Sequence, residues 1–384
     1  MSRRRWSILA ILAFLFIGVT LVLVHNQREA TRGNSLGSTA DISSSILASP
    51  GALAADSNGN IYVTEQKQNR ILKISAFQHV TIVAGSGRRG FSGDGGPADQ
   101  ASLASPTSIA LDSAGNLFIA DTGNSRIRRI DAKTHTITTV PGNSFQDEWN
   151  TRIAKYTATS PGTYPPISIA VDGDENLYIG GVDGVGILRV DPVSHSSTVI
   201  VGVGLPGYPL APNPSARPSW LAVDEHGTLL FSDPYRNAVS LINTPENDVH
   251  RVAGGAVCGF AGDGGPAIGA LLCFPKALAV SRDKKLFISD TGNNRIRQVD
   301  LSTGIITTAA GNGQIGDAGD GGSAMNASLN NPMGIAVDGK GDLYIADTGN
   351  NCIRRLDTRT GLIASWATAR DLELAKYAQS TPFQ

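Results

Sequence analysis

Along this chain an aspartate, an amide and a cation recur within six residues of one another. The sets are Asp121, Asn124 and Arg126; Asp290, Asn293 and Arg295; and Asp347 with Asn350, where Cys352 stands in place of the arginine. A carboxylate beside an amide and a guanidinium can accept backbone N–H bonds, pair with arginine or help to hold a cation. The partners within reach are Arg126 and Arg295, Arg354 across units, and the N–H groups of the turns themselves. Recurrence favours a structural role, because one active site does not need several copies. A second acidic set, Asp94, Asp263 and Asp320, lies in Gly-Asp-Gly-Gly runs. Calcium takes about 6–8 oxygens, whereas each run brings one carboxylate. Turn formation is therefore expected, no cofactor is assigned, and Ca²⁺ is the alternative.

Other catalytic inventories are thin. Of the six histidines, His79, His135 and His195 fall in predicted third–fourth turns and His226 in a first–second turn, so no imidazoles converge as zinc or copper would require. No Gly-x-Ser-x-Gly or His-Glu-x-x-His run occurs, and the Gly-Asp-Gly-Gly runs lack the helix and the Lys-Ser/Thr of a phosphate loop. Trp220 interrupts a row of small residues and reads as a packing accommodation or a ligand platform. Lys276 is the one charged residue among Gly51, Thr107, Ile167, Ser219, Lys276 and Met333, which open the first strands. Cys258 and Cys273 bracket one insert, where the equivalent inserts have Arg89 and Ala104, or Ile315 and Asn330. Their joint appearance in a single copy predicts a disulfide, and Cys352 is expected to be a free thiol.

The elements that must position these residues follow from an internal repeat. A lead proline recurs at Pro50, Pro106, Pro166, Pro218, Pro275 and Pro332, with spacings of 56, 60, 52, 57 and 57. Each copy offers three apolar β-runs and then a fourth, with D-x-x-G turns such as Asp112 to Gly115 between the first two. Six four-stranded antiparallel units predict an all-β, six-bladed β-propeller, with a solenoid as the alternative. Alanine recurs at Ala54, Ala110, Ala170, Ala222, Ala279 and Ala336, flanked by large apolar residues, as suits an innermost strand where blades converge. Composition agrees: 44 glycines and 17% charged residues in 384 describe a turn-rich β protein. The net charge of -1 implies no general affinity for polyanions.

The runs Leu117 to Ile127, Leu286 to Ile296 and Leu343 to Ile353, with the inserts Gly93 to Ala98, Gly262 to Ala267 and Gly319 to Ala324, resemble the NHL-repeat propellers, in their bacterial and teneurin-like branch. The likeness covers roughly residues 48–367; repeat 3 departs most, with Gly180-Gly181 and Gly184-Val185-Gly186 in the motif positions. The resemblance implies a platform for protein, glycan or RNA, with a minority of enzymes. Strand parity puts the Asp-Thr-Gly-Asn hairpins on the same side as the long inserts, which makes that surface the expected binding face. Its candidate residues are Asp121, Asn124, Arg126, Trp220, Lys276, Asp290, Asn293, Arg295, Asp347 and Asn350. The basic third strands (Lys73, Arg128, Arg129, Arg189, Arg297, Arg354 and Arg355) are read as interstrand charge pairs, and no nucleic acid is expected.

Residues 1–5 carry three arginines, and Trp6 to Val24 follow without a charge. As a helix this stretch spans about the ~30 Å hydrocarbon core, and the arginines leave its N-terminus in the cytosol. Residues 6–24 are expected to be a signal anchor in the lipid bilayer, 25–47 a tether, 48–370 the propeller and 371–384 a tail. This places the propeller in the periplasm or outside the cell, with secretion after signal cleavage as the alternative. The expected function is a membrane-tethered module that binds protein or glycan; the alternative is a metal-dependent lyase or lactonase on the same fold.

Overall fold

The four apolar runs of each repeat become strands, and the tight turns between them impose antiparallel order. The computed structural model describes residues 47–141, 166–181, 186–202, 219–224, 226–243, 248–255 and 257–368, which form six four-stranded sheets, each in chain order. The blades span residues 53–84, 108–139, 166–202, 220–254, 275–310 and 332–368, as the proline period predicts. The apolar stretch 6–24 and the tail 371–384 lie outside the described residues. Among the residues described, no helix is long and apolar enough to cross a membrane.

Sequence accounts for the order of strands within a blade. Second strands such as Leu117–Asp121, Leu229–Asp233 and Leu343–Asp347 are buried at every position. Both faces of a blade pack on neighbours, so these strands read as nearly unbroken apolar runs rather than alternating ones. Fourth strands such as Ile305–Ala310 alternate, and they and Val80–Ala84 carry threonine at their exposed positions, because one side meets solvent. The D-x-x-G turns close as expected. In the turn after the first strand of blade 2, Asp112 accepts the Asn116 N–H at 2.8 Å, and Gly115 takes the φ of +84° that the turn requires.

First strands form the innermost ring, each lying against the first strands of both neighbouring blades, including blade 6 against blade 1. Ala170, Ala222 and Ala336 are buried in this ring, with Ile169, Leu221 and Ile335 buried one residue away. The ring closes without a blade shared between the two ends of the array, because blades 1 and 6 are each continuous in sequence. Packing closes it instead: Leu53, Ile61 and Leu72 of blade 1 share one apolar cluster with Tyr344, Ile353 and Trp366 of blade 6. Thr348 Oγ1 donates to the Pro50 carbonyl at 2.7 Å, and the Ser49 N–H donates to Asn351 Oδ1 at 2.8 Å.

The seam is tightest at Gly334, where a Cβ would lie 2.1 Å from the Gly51 carbonyl oxygen and 2.9 Å from Ala52 Cα. Gly334→Ala should cost ~1–3 kcal/mol by forcing the first strands of blades 6 and 1 apart. Gly339→Ala, whose nearest neighbour is 3.9 Å away, should melt like the parent protein. Equal melting temperatures for both variants would show that the seam is not closed by this contact.

Candidate functional site

The Asp-Thr-Gly-Asn hairpins resolve into a set of assigned contacts. In blade 2 the second strand (Leu117–Asp121) delivers Asp121 to the start of a 3₁₀ turn, Thr122–Asn124, and the third strand begins at Arg126. Asp121 has no solvent exposure. It accepts the Ala104 N–H at 2.7 Å and the Asn124 amide at 2.7 Å, and it pairs with Arg128 at 3.5 Å. Asp290 does the same with Cys273, Asn293 and Arg297, and Asp347 with Asn330, Asn350 and Arg354. The expected pairing with Arg126 and Arg295 is therefore corrected: the partner is the arginine two residues later, in the same blade. Two residues apart on one strand, Arg126 and Arg128 share a face and both lie over Phe91; Arg126 stands opposite Asp121 at the mouth of the turn, and Arg128, further along the strand, is the one that reaches Asp121 and Asp94. The N–H groups accepted belong to the ends of the inserts, not to the turns themselves.

Each of these arginines is wholly buried and closes more tightly on an insert carboxylate: Arg128 on Asp94 at 2.8 Å, Arg297 on Asp263 at 2.6 Å and Arg354 on Asp320 at 2.6 Å. Asp94 and Asp263 also accept the hydroxyls of Thr139 and Thr308, and Asp320 accepts the Ser365 N–H. The acidic residues considered as calcium ligands are thus engaged with arginine. Among the described residues no group of three or more His, Cys, Asp or Glu side chains converges. The pairing was legible in co-occurrence: arginine stands at this position only in the three copies preceded by Gly-Asp-Gly-Gly, and Leu72, Leu188 and Ser240 replace it elsewhere.

The other motif residues clasp neighbouring segments. Thr122, Thr291 and Thr348 donate to the lead-proline carbonyl of the next blade, at 2.7 Å each. A Cβ on Gly123 would lie 2.8 Å from the Ala104 carbonyl oxygen, so only glycine lets the turn approach the insert. Asn124, Asn293 and Asn350 bridge the buried aspartate to the insert carbonyls of Gly90, Gly259 and Gly316. Arg126 and Arg295 stack over Phe91 and Phe260, at 4.3 and 3.8 Å from the ring centres. In blade 6 both halves of this stack are replaced together, by Cys352 and Asp317. The remaining third-strand cations are also occupied within their blades: Lys73 lies over Tyr62, Arg129 near Asp131, Arg189 on Asn176 and Arg355 on Asp342.

The inserts touch the hairpins only at their shoulders. Their glycine-rich tips lie along the outer strand, where the Ala98, Ala267 and Ala324 N–H groups donate to the carbonyls of His135, Gly304 and Gly361. An outermost strand otherwise presents unpaired backbone groups, and the tip covers them. Cys258 and Cys273 form the expected disulfide across the shoulders of the blade 5 insert, which contributes about 3 kcal/mol for a loop of this size. Cys352 is free and buried. Trp220 is half-buried and packs against two apolar clusters, one built from blades 5 and 6 and the other from blades 1 and 2, so it reaches across the inner ring. Lys276, on the first strand of blade 5, is half-buried, and burial alone holds its ammonium below the usual lysine range.

Two consequences can be measured. Burial pushes the Asp290 carboxyl up to about 6, although Asn293, the Cys273 N–H and Arg297 all favour its ionised form. Between the ordinary aspartate value near ~4 and that point, the folded protein keeps a proton the unfolded chain has released, so stability falls as pH rises. Asp131, Asp191 and Asp357, held low by N–H bonds in their own turns, titrate below this window. Asp290→Asn should therefore show a shallower fall in denaturation midpoint between about pH 4.5 and about pH 6.5; an unchanged slope would contradict the assignment. Burial likewise pushes the Cys352 thiol up to about 12. The native protein should show no thiol reactive to Ellman's reagent near about pH 8, one after unfolding, and three after unfolding and reduction.

Sequence comparison matches the NHL repeat over residues 103–130 and the teneurin NHL domain over residues 312–381. NHL repeat-containing protein 2 of Gallus gallus is 28% identical over 397 residues, covering 91% of this chain and 52% of that protein. Teneurin-4 of Mus musculus is 29% identical over 344 residues, covering 80% of this chain and 12% of that protein. The chain thus spans about half of the first relative and a small part of the second. Among solved structures, an auxiliary nutrient binding protein from Bacteroides thetaiotaomicron aligns with a TM-score of 0.57 at 15% identity, over 86% of this chain and 75% of that one. A streptogramin B lyase aligns with a TM-score of 0.51 at 14% identity, over 84% of each chain. At such identities the solved structures speak for the fold alone. Six blades whose motif residues clasp insert, strand and next blade, together with these matches, establish the chain's similarity to the NHL-repeat propellers.

Proposed function

We propose that this propeller is a non-catalytic binding module, held at a membrane by residues 6–24 and exposed outside the cytosol, that takes a protein or glycan ligand on its insert-bearing surface. One observation carries the reading. Among the described residues, seven of the eleven exposed large apolar side chains lie in the three Gly-Asp-Gly-Gly inserts: Phe91, Val257, Phe260, Ile268, Phe274, Ile315 and Met325. Exposed apolar surface concentrated on loops marks an interaction site more often than a folding requirement. The polar motif residues, by contrast, are spent on the fold. Asp121, Asp290 and Asp347 are fully buried, so a ligand would meet the insert side chains before it met them.

A nutrient-binding protein and a lyase share this fold, and a metal-dependent enzyme is the competing outcome. Site-specific photocrosslinking separates the two readings. A benzophenone side chain at Phe260 should capture a saturable partner in the native envelope, and one at Val193, in a third–fourth turn on the other side, should not. Absence of a saturable adduct at Phe260, an equal adduct at Val193, or a lyase or lactonase activity abolished by chelator, would overturn the proposal.

A further inference from the structure

The three Gly-Asp-Gly-Gly inserts share one backbone. Each places its aspartate on a buried arginine and its tip alanine on the outer strand. A feature found in only one of them is therefore not needed to build it, and the blade 5 insert has three such features. The first is the Cys258–Cys273 disulfide: in blade 2 the same shoulders meet with Arg89 bridged to Leu103 and no covalent link. The second is Phe274, which precedes the lead proline with φ +47°. The other described copies place Ser49, Ser105 and Asn331 there, at φ between +48° and +51°. Serine and asparagine tolerate the left-handed region, whereas a bulky aromatic is strained in it. Phe274 is also 50% exposed, so packing does not offset the strain.

The third feature is Lys276, two residues further on. Its ammonium is half-buried with no carboxylate contributing to its electrostatics among the described residues, and other copies have Gly51, Thr107 and Met333 in its place. An unpaired, partly desolvated cation costs stability. Strain, an extra cross-link and an uncompensated charge thus meet in one segment. The Phe274 N–H is held at 3.0 Å by Asn237, which ties this segment to the blade 4 turn bearing the exposed Tyr235.

We infer that the junction of blades 4 and 5 is the principal docking site, and that it takes a protein segment presenting an apolar side chain next to a carboxylate. This rests on the binding-module reading above and assigns its partner chemistry. Phe274 supplies a rigid aromatic surface, Lys276 supplies the cation that the acidic group neutralises, and the disulfide holds the insert in its bound shape beforehand, which lowers the ordering cost of binding.

The test uses the full chain in detergent on an array of 12-residue peptides. Each peptide has a central Trp, Phe or Leu flanked by Asp/Glu, by Asn/Gln or by Lys/Arg. Acidic peptides should be retained at least about tenfold better than their amide counterparts, and Phe274→Ser or Lys276→Met should each remove about tenfold or more. Val193→Ser should leave retention unchanged. Phe274→Ser should melt no lower than the parent protein, since serine occupies this position in blades 1 and 2, so its loss of binding is not a loss of fold. Equal retention of amide or basic peptides, unchanged retention in Phe274→Ser, or no retained peptide would overturn the inference. If crosslinking at Phe260 still captured a saturable partner, the module reading would stand without it; if that failed too, both would fall.

Discussion

A guanidinium with no access to water holds each insert to its blade. Arg128, Arg297 and Arg354 each lie between an interior aspartate and an insert aspartate, with the closer contact on the insert side. Burying such an ion is expensive, and removing one partner of a buried pair typically costs ~3–5 kcal/mol because the other is left uncompensated. The arginine can be buried only if the insert comes down to meet it. Insert position therefore follows from the charge, and the Asn and Gly of the hairpin then have a carbonyl and a close surface to engage. Phe91 and Phe260 cover the outer side of two of these guanidiniums at 4.9 Å, adding a cation–π contact where hydrogen-bond partners run short.

The same hairpins join blade to blade. The threonine reaches the next lead-proline carbonyl, and the left-handed residue that ends the turn reaches the N–H just before it: Asn69 to Ser105, Asn237 to Phe274, Asn294 to Asn331 and Asn351 to Ser49. The last of these crosses from blade 6 to blade 1. Because the ring has no strand exchanged between its ends, closure depends on the clasp used at the other junctions. Repeat proteins stabilise by nearest-neighbour interfaces, and here the closing interface is built from the same parts as the rest.

Once the motif is assigned to architecture, functional variation has to be sought where the copies differ. The inserts of blades 2, 5 and 6 have one backbone but different surfaces. At one tip position they carry Asp99, Ile268 and Met325, and before the lead proline Ser105, Phe274 and Asn331. A common scaffold with divergent exposed side chains is the arrangement that lets a rigid fold change its ligand without refolding.

The sequence by itself determined the blade number, the strand order, the alanine ring and the disulfide pair. Each of these rests on local periodicity, turn chemistry or comparison among copies of one repeat, and such signals survive without coordinates. It also contained the link between Gly-Asp-Gly-Gly inserts and the arginines at 128, 297 and 354, but only as co-occurrence. Which of two arginines on one face of the strand meets the buried aspartate, Arg126 or Arg128, was decided by how far along the strand the insert aspartate comes down. That the insert tips lie along the outer strands, that Trp220 reaches core clusters on both sides of the ring, and that Phe274 adopts a left-handed backbone were likewise decided by tertiary structure. These outcomes depend on the distance between segments dozens of residues apart, and the propeller's closure, not any local preference, sets that distance.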